Sequence, residues 1–193
     1  CKVGAIAKHP EKEYATIDNN KCISCGACVY QCPFGAISDK SFIVNAIEIL
    51  KSGKAFNPDS STRVYAIVAP SISSQFSYAK LGQVITGLKK LGFQDVIEAA
   101  LGADMVAMAE ARELSEKGLL TSSCCPAFVR YIKTAFPELA DFVSHNMSPM
   151  AALAKYIKST DATAKVVFIG PCTAKKAERQ LDTVKEYVDA VMT

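Results

Sequence analysis

Two neighbouring cysteines, Cys124 and Cys125, lie in residues 121–128 (TSSCCPAF), directly after a short apolar run. Adjacent cysteines cannot easily bind the same metal atom, so we expect one thiol to hold a metal and the other to do different chemistry. Cys172 stands in a comparable turn, residues 168–176 (FIGPCTAKK), after a second apolar run. The spacing therefore indicates a metal centre built from turns that follow strands.

Four further cysteines lie near the start of the chain, in the run C-x2-C-x2-C-x3-C-P at residues 22–33. This spacing resembles that of bacterial ferredoxins, whose thiolates bind 4Fe-4S clusters. A structural zinc site would instead need two cysteine pairs separated by a dozen or more residues. The run therefore predicts a 4Fe-4S cluster with Cys22, Cys25 and Cys28 as ligands.

The fourth ligand of this cluster has two candidates, Cys1 and Cys32. In ferredoxins with two clusters, the last cysteine of such a run binds the other cluster. Residues 1–6 (CKVGAI) parallel residues 32–37 (CPFGAI), so Cys1 resembles the last cysteine of an earlier run. We favour Cys1 as the fourth ligand, with Cys32 binding a second cluster whose other ligands precede this chain. The alternative is that Cys32 completes the cluster and Cys1 has no ligand role.

Composition limits the class of protein. Half of the 193 residues are apolar, which allows one domain of ordinary size and a small accessory module. The net charge of +3 is spread without basic runs, so we expect neither nucleic acid nor an anionic membrane surface as a partner. No apolar run approaches the roughly 18 residues of a membrane span, and no signal peptide is visible. Clustered cysteines are typical of metal-binding or catalytic sites in a reducing compartment, which predicts a cytoplasmic protein.

Alternating strands and helices must position these cysteines. Residues 41–51 predict an amphipathic helix that ends at Gly53, and residues 55–61 are a polar, turn-rich linker. Beyond the linker, short apolar runs alternate with helical periodicity, which predicts a mainly parallel sheet covered on both faces. We expect the turns at 69–71, 123–126 and 170–172 to converge at the carboxyl edge of that sheet. The predicted strands are 64–68, 96–99, 119–121 and 166–169, and the predicted helices are 75–91, 103–117, 127–135 and 149–159.

Two of these turns resemble the signatures of iron-only (FeFe) hydrogenases. Residues 123–126 (SCCP) resemble T-S-C-C-P with one extra serine, and residues 171–178 (PCTAKKAE) resemble P-C-x-x-K-x-x-E. The resemblance implies an α/β fold in which residues 1–40 are a ferredoxin-like 4Fe-4S module, 41–62 a helix and linker, and 63–193 the N-terminal lobe of the catalytic domain. It also implies a fragment, truncated before Cys1, which is not a Met, and after Thr193, before the third signature of the family.

The active centre of that family, the H-cluster, is a 4Fe-4S cubane bridged by a thiolate to a two-iron unit with carbon monoxide, cyanide and a dithiolate that carries an amine. By position, Cys125 and Cys172 match two of the four cubane ligands. Cys124 matches the thiol that transfers protons to and from the amine. Thiols suit this role because they exchange protons near neutral pH. The alternative for Cys124 is a small buried hydrophobic residue beside a ligand.

The resemblance also implies a proton route and contacts to the two-iron unit. Glu110 and Glu113 share a helix face and match two carboxylate relays, with Ser144 between them; without the resemblance they would be a solvated face. Lys175 matches a donor to one cyanide. Pro70 and Ser71 match the turn that holds the other cyanide. The sequence departs from the family pattern where Gly170 replaces Met, Phe128 replaces Trp and Met150 replaces Gln, which leaves catalytic bias and oxygen tolerance open.

The function implied is the reversible conversion of 2H+ and 2e- to H2, with electrons entering from a carrier such as ferredoxin through 4Fe-4S clusters. A hydrogen-sensing or iron-sulfur cluster assembly relative with little turnover is the alternative. Relatives of that kind tend to lose the proton-transfer thiol, so Cys124 with Glu110 and Glu113 favours the enzyme. A plain electron carrier fused to an α/β domain leaves Cys124, Cys125 and Cys172 unexplained.

Overall fold

The computed structural model describes residues 1–193. The chain begins with an antiparallel hairpin of β1 (Ile6–Lys8) and β2 (Ala15–Ile17), in which Ile6 pairs with Ile17. Beyond the strands the pairing continues, because the Asp18 N–H donates to the Ala5 carbonyl at 2.8 Å. The segment that starts at Cys1 and the loop that starts at Cys22 therefore leave the same end of the hairpin.

Two helices complete the N-terminal part. The short α1 (Ala27–Gln31) begins after Gly26, whose φ of 75° lies in the left-handed region that glycine tolerates. The predicted helix at 41–51 is found as α2 (Ile43–Ser52), and the N–H of Gly53 closes it by donating to the Leu50 carbonyl at 3.0 Å.

A parallel sheet of four strands, in the order β4-β3-β5-β6, forms the centre of the remaining chain. This arrangement confirms the predicted α/β fold. The two central strands, β3 and β5, are paired along their whole length from Arg63 with Ala164 to Val68 with Ile169, so both end at the same edge. The strands are β3 (Arg63–Val68), β4 (Asp95–Glu98), β5 (Ala164–Ile169) and β6 (Ala190–Met192).

Helices cover both faces of the sheet. Alternate residues of β3 separate the two cores: Val64, Ala66 and Val68 pack in one apolar cluster, and Ile67 packs in the other. On the Ile67 face, a Cβ on Gly102 would lie 2.2 Å from the Pro149 carbonyl oxygen, so glycine allows two helices to approach closely. The helices are α3 (Ile72–Gln75), α4 (Leu81–Lys90), α5 (Ala99–Lys117), α6 (Pro126–Ala135), α7 (Pro149–Thr160) and α8 (Thr173–Glu178). No helix combines the length and the hydropathy that crossing a bilayer requires.

Two predicted elements are wrong in detail. The helix predicted at 75–91 is found only as α4, which begins at Leu81, because Lys80 takes an extended conformation and its N–H donates to the Gln83 side chain at 2.8 Å as the N-terminal cap. The strand predicted at 119–121 is only an isolated parallel bridge between Thr121 and Val143, outside the central sheet. Helix α6 begins at Pro126, five residues after Thr121, which leaves no room for a longer strand ladder. The edge strand β6 was not predicted.

Candidate hydrogenase-type metal centre

The turns that follow β3 and β5 lie side by side at the carboxyl edge of the sheet. The Ala69 N–H donates to the Ile169 carbonyl at 2.8 Å, which aligns the turn of Pro70 with that of Cys172. Gly170 allows this approach, because a Cβ there would lie 2.8 Å from the Ala69 Cβ and 2.7 Å from the Phe168 ring. The glycine that departs from the family pattern is thus required by local packing.

The third turn joins this edge through Lys175. Its Nζ donates to the Cys124 carbonyl at 3.1 Å and to Glu178 Oε2 at 2.7 Å. Lys175 and Glu178 are 9% and 6% exposed, so this ion pair is almost completely shielded from solvent. Through Lys175, the turn at 123–126 is bonded to α8. The predicted convergence of the three turns is confirmed.

The two cysteines predicted as cubane ligands both stand at helix starts. Cys125 is the N-cap of α6 and Cys172 the N-cap of α8. Unpaired backbone N–H groups at helix starts favour negative charge, as on metal-bound thiolates. Ser71 Oγ, in the turn predicted to hold a cyanide, is buried and has no hydrogen-bond partner. Buried hydroxyls without partners are uncommon, so the donor set and this hydroxyl fit a bound group with acceptor atoms.

The two predicted relay carboxylates contact different partners. Glu113 accepts a 2.9 Å hydrogen bond from Ser144 Oγ and a 2.8 Å bond from the Asn146 side-chain amide. Glu110 Oε1 accepts from Ser122 Oγ at 2.9 Å and from the Ser123 N–H at 3.1 Å. Ser144 thus contacts Glu113 directly, as the resemblance implies, but makes no hydrogen bond to Glu110.

Two serines connect Glu110 with its surroundings. Ser122 Oγ, which donates to Glu110, also accepts the Cys124 N–H at 3.3 Å. Ser123 Oγ donates to the Asn146 carbonyl at 2.6 Å, while Asn146 also contacts Ser144. The two carboxylates are therefore parts of one polar network that reaches the backbone of Cys124.

Glu113 is held as an anion by the predicted Ser144 and by two neighbours that the sequence analysis missed, Lys117 and His145. Hydrogen bonds from Lys117, 2.9 Å away, and from His145 and Ser144 outweigh the effect of burial and lower the pKa of Glu113 to about 2. Lys117 was recognisable, because Glu and Lys four residues apart on a helix pair favourably. His145 and Asn146 have no such sequence signal, since a separate loop brings them to α5.

The cysteine-rich loop has features of a cluster-binding segment. The Ser24 N–H donates to Cys22 Sγ at 3.4 Å. Backbone N–H groups of Phe34, Ala36 and Ile37 hydrogen-bond the Cys32 sulfur and lower its pKa, against the opposing effect of burial. No three His, Cys, Asp or Glu side chains converge as they would on a single metal ion. A 4Fe-4S cluster needs a different arrangement, since each thiolate binds a different iron atom.

Comparison with known families agrees with this architecture. Residues 62–193 match the family described as iron only hydrogenase large subunit, C-terminal domain. The chain belongs to this family. Residues 15–38 of this hydrogenase-family chain also match the 4Fe-4S binding domain, which supports a 4Fe-4S cluster in the N-terminal part.

Individual relatives include both hydrogenases and an assembly factor. Iron hydrogenase 1 of Clostridium pasteurianum is 30% identical over 92% of this chain, and the periplasmic Fe hydrogenase large subunit of Nitratidesulfovibrio vulgaris is 29% identical over 95%. The cytosolic Fe-S cluster assembly factor NAR1 of Eremothecium gossypii is 24% identical over 97%. The chain spans about half the length of these relatives, 42%, 56% and 44% respectively.

Proposed function

We propose that this chain supplies two of the four cubane ligands of an H-cluster and that the protein interconverts 2H+, 2e- and H2. The observation that carries the proposal is the environment of the adjacent cysteines. Cys125 begins α6, whereas the preceding residue, Cys124, is tied through Ser122 to the carboxylate of Glu110. The N-cap position supports a metal-binding role for Cys125. The bond from the Cys124 backbone N–H to Ser122, which contacts Glu110, supports a proton-exchanging role for the Cys124 thiol.

The residues that would hold the centre lie on the three converging turns. Cys125 and Cys172 would be two of the cubane ligands, and Pro70 and Ser71 would contact one cyanide. Lys175 has three N–H donors and uses two of them within the protein, so one would be free to donate to the other cyanide. When bound, the H-cluster supplies the two-electron chemistry and an amine that exchanges protons.

The protein residues move protons between this centre and solvent. A proton enters at Glu113, passes to Ser144 and then to Glu110, and reaches the thiol of Cys124. Because Ser144 does not bond Glu110 directly, this step needs a bridging water between the two side chains. Lys117 and His145 lower the pKa of Glu113 to about 2, so its carboxylate stays ionised and passes on a proton quickly rather than retaining it.

Electrons enter through the N-terminal part. We infer that residues 1–40 form a ferredoxin-like module, that residues 41–62 connect it, and that residues 63–193 form the N-terminal lobe of the catalytic domain. Cys22, Cys25, Cys28 and Cys1 bind one 4Fe-4S cluster, and Cys32 binds another. The electron partner is a ferredoxin-type carrier, and the compartment is the cytoplasm.

Cys124→Ala tests the proposal, in a polypeptide that carries this chain together with the third signature of the family and is matured with the two-iron unit. Transfer by a positioned acid or base contributes about 100- to 10,000-fold, so H2 evolution from a reduced viologen dye should fall by that factor while the cubane remains. Unchanged H2 evolution would refute the role of Cys124.

The second candidate is a factor for iron-sulfur cluster assembly without H2 turnover. It is favoured by the alignment of the NAR1 protein with almost the whole chain. The two functions differ in their measurable product. Transfer of a 4Fe-4S cluster to an acceptor apoprotein, without H2 evolution from the matured protein, would establish the assembly function.

A further inference from the structure

Side chains of α6 and α8 make most of the hydrogen bonds between residues 1–40 and the lobe, and Thr193 Oγ1 adds one to Asp39 at 3.0 Å. The N-caps of these two helices are Cys125 and Cys172. The helices contribute three contacting side chains, namely Arg130 on α6 and Thr173 and Lys176 on α8. Their partners flank the cysteine run on both sides and also lie within it.

The first contact is made by Arg130, just over one turn into α6. Its guanidinium donates to the Asn19 carbonyl at 2.5 Å and to the Asn20 carbonyl at 3.5 Å. These carbonyls immediately precede the run that starts at Cys22. Arg130 therefore fixes the entry to the cysteine loop.

The second contact is made by Thr173, the residue after Cys172. Its Oγ1 donates to the Ser24 carbonyl at 2.8 Å. The approach is close, since a Cβ on Gly26 would lie 2.9 Å from this hydroxyl. Because Ser24 is bonded to Cys25, a single hydrogen bond joins the neighbours of two cysteines assigned to different clusters.

The third contact is made by Lys176, one turn further along α8 and 6% exposed. Its Nζ forms an ion pair with Asp39 and donates to the Lys40 carbonyl at 2.8 Å and to Thr193 Oγ1 at 2.9 Å. A buried ammonium needs such partners, because desolvation of a charge is costly. Lys176 therefore fixes the exit of the cysteine-rich part.

We propose that Arg130, Thr173 and Lys176 are positioning residues that dock the iron-sulfur module on the two helices that present the cubane ligands. The dock sets the distance and orientation between the two cluster sites. Thr173 has the central role, since its hydroxyl spans the shortest covalent and hydrogen-bonded path from Cys25 to Cys172. The inference rests on the ligands assigned under the proposed function, but not on H2 chemistry.

Amide hydrogen exchange of the whole chain tests the contacts. Thr173→Val keeps the shape and removes the hydroxyl, so exchange of residues 22–28 should rise about 2- to 10-fold, the equivalent of one net hydrogen bond. Thr173→Ser should restore the wild-type rate. Arg130→Gln should raise exchange around residues 19–22, whereas Lys133→Gln, three residues further along α6 and exposed, is the matched control.

Electron paramagnetic resonance of the reduced, cluster-loaded polypeptide tests positioning separately from folding. Thr173→Val should alter the magnetic interaction between the module cluster and the cubane, while exchange in β3 and β5 stays at the wild-type rate. The proposal would be overturned if Thr173→Val showed wild-type amide exchange in residues 22–28 and an unchanged magnetic interaction between the two clusters. A wild-type chain that binds no 4Fe-4S cluster would instead contradict the ligand assignment, and exchange would still decide whether the dock exists.

Discussion

Lys175 Nζ lies 3.1 Å from the carbonyl oxygen of Cys124. Helix α8, which follows the predicted ligand Cys172, is therefore hydrogen-bonded to the turn that carries the other predicted ligand, Cys125. The same ammonium is paired with Glu178 at 2.7 Å. The position of Lys175 thus depends on two protein acceptors before any cyanide is present. A single side chain connects the geometry of the centre with the stability of the lobe.

Lys175→Met is expected to destabilise the lobe. The substitution leaves Glu178, whose side chain is 7% exposed, without its cation, and breaking a buried pair costs about 3 to 5 kcal/mol. Urea unfolding of the chain measures this loss. The double variant Lys175→Met, Glu178→Leu should recover most of it, and Lys155→Met, at an exposed position, is the control. Equal unfolding midpoints for Lys175→Met and the wild type would contradict a structural role for the pair.

Glu110→Gln and Glu113→Gln are each expected to slow H2 turnover of the matured protein by about 100- to 10,000-fold, because an amide cannot relay protons. Glu116 lies on the same helix and is exposed, so Glu116→Gln is the matched control. Steady-state H2 evolution measures the effect. If all three variants turn over at the same rate, protons do not pass along this face of α5.

Lys117→Gln is expected to change the response of the chain to acid. The Lys117 ammonium is the largest cause that lowers the pKa of Glu113 to about 2, from an ordinary value of 4.5. Because the folded pKa is the lower one, the stability that Glu113 contributes is present above about pH 4.5 and is lost as the pH falls toward 2. Without Lys117 the pKa rises, so stability should depend less on pH in this window.

Urea midpoints at about pH 7, 4.5 and 3 measure this dependence. Lys133→Gln removes an exposed cation elsewhere, so its urea midpoint should change with pH as the wild-type midpoint does. If the urea midpoint of Lys117→Gln changes with pH as much as that of the wild type, Lys117 does not hold Glu113 in its ionised form.

The 4Fe-4S absorption of reconstituted variants distinguishes the two candidates for the fourth ligand of the module cluster, Cys1 and Cys32. The hairpin brings the segment from Cys1 and the loop from Cys22 out at the same end, which favours Cys1. After anaerobic reconstitution of the chain, Cys1→Ser should lose the 4Fe-4S absorption and Cys32→Ser should keep it. The opposite result would assign Cys32, whose sulfur accepts backbone N–H groups, to this cluster.

The sequence was sufficient for elements whose signal is local. The apolar runs of β3 and β5 and the cysteine turns after them are short segments, and parallel strands bring such turns to one edge. The start of α4 was predicted too early because the apolar pattern continues ahead of Leu81, while the cap at Lys80 decides where the helix begins. The strand at 119–121 was wrong because its only partner, Val143, lies on a distant loop.

The network around Glu113 was only half predictable. Lys117 lies four residues away on the same helix, but His145 and Asn146 reach the carboxylate from 32 and 33 residues further along the chain. The dock at Thr173 joins residues 149 apart. Such contacts depend on how the lobe and the N-terminal part pack, which no local spacing encodes.

Infrared spectroscopy of the matured protein tests the central claim most directly, since only a two-iron unit gives bands of metal-bound carbon monoxide and cyanide. A polypeptide with this chain and the third signature should show both sets of bands after maturation with the two-iron unit. Lys175→Met should shift or broaden the cyanide bands, because it removes a charged donor. A protein that binds its 4Fe-4S clusters but gives neither set of bands would contradict the hydrogenase account.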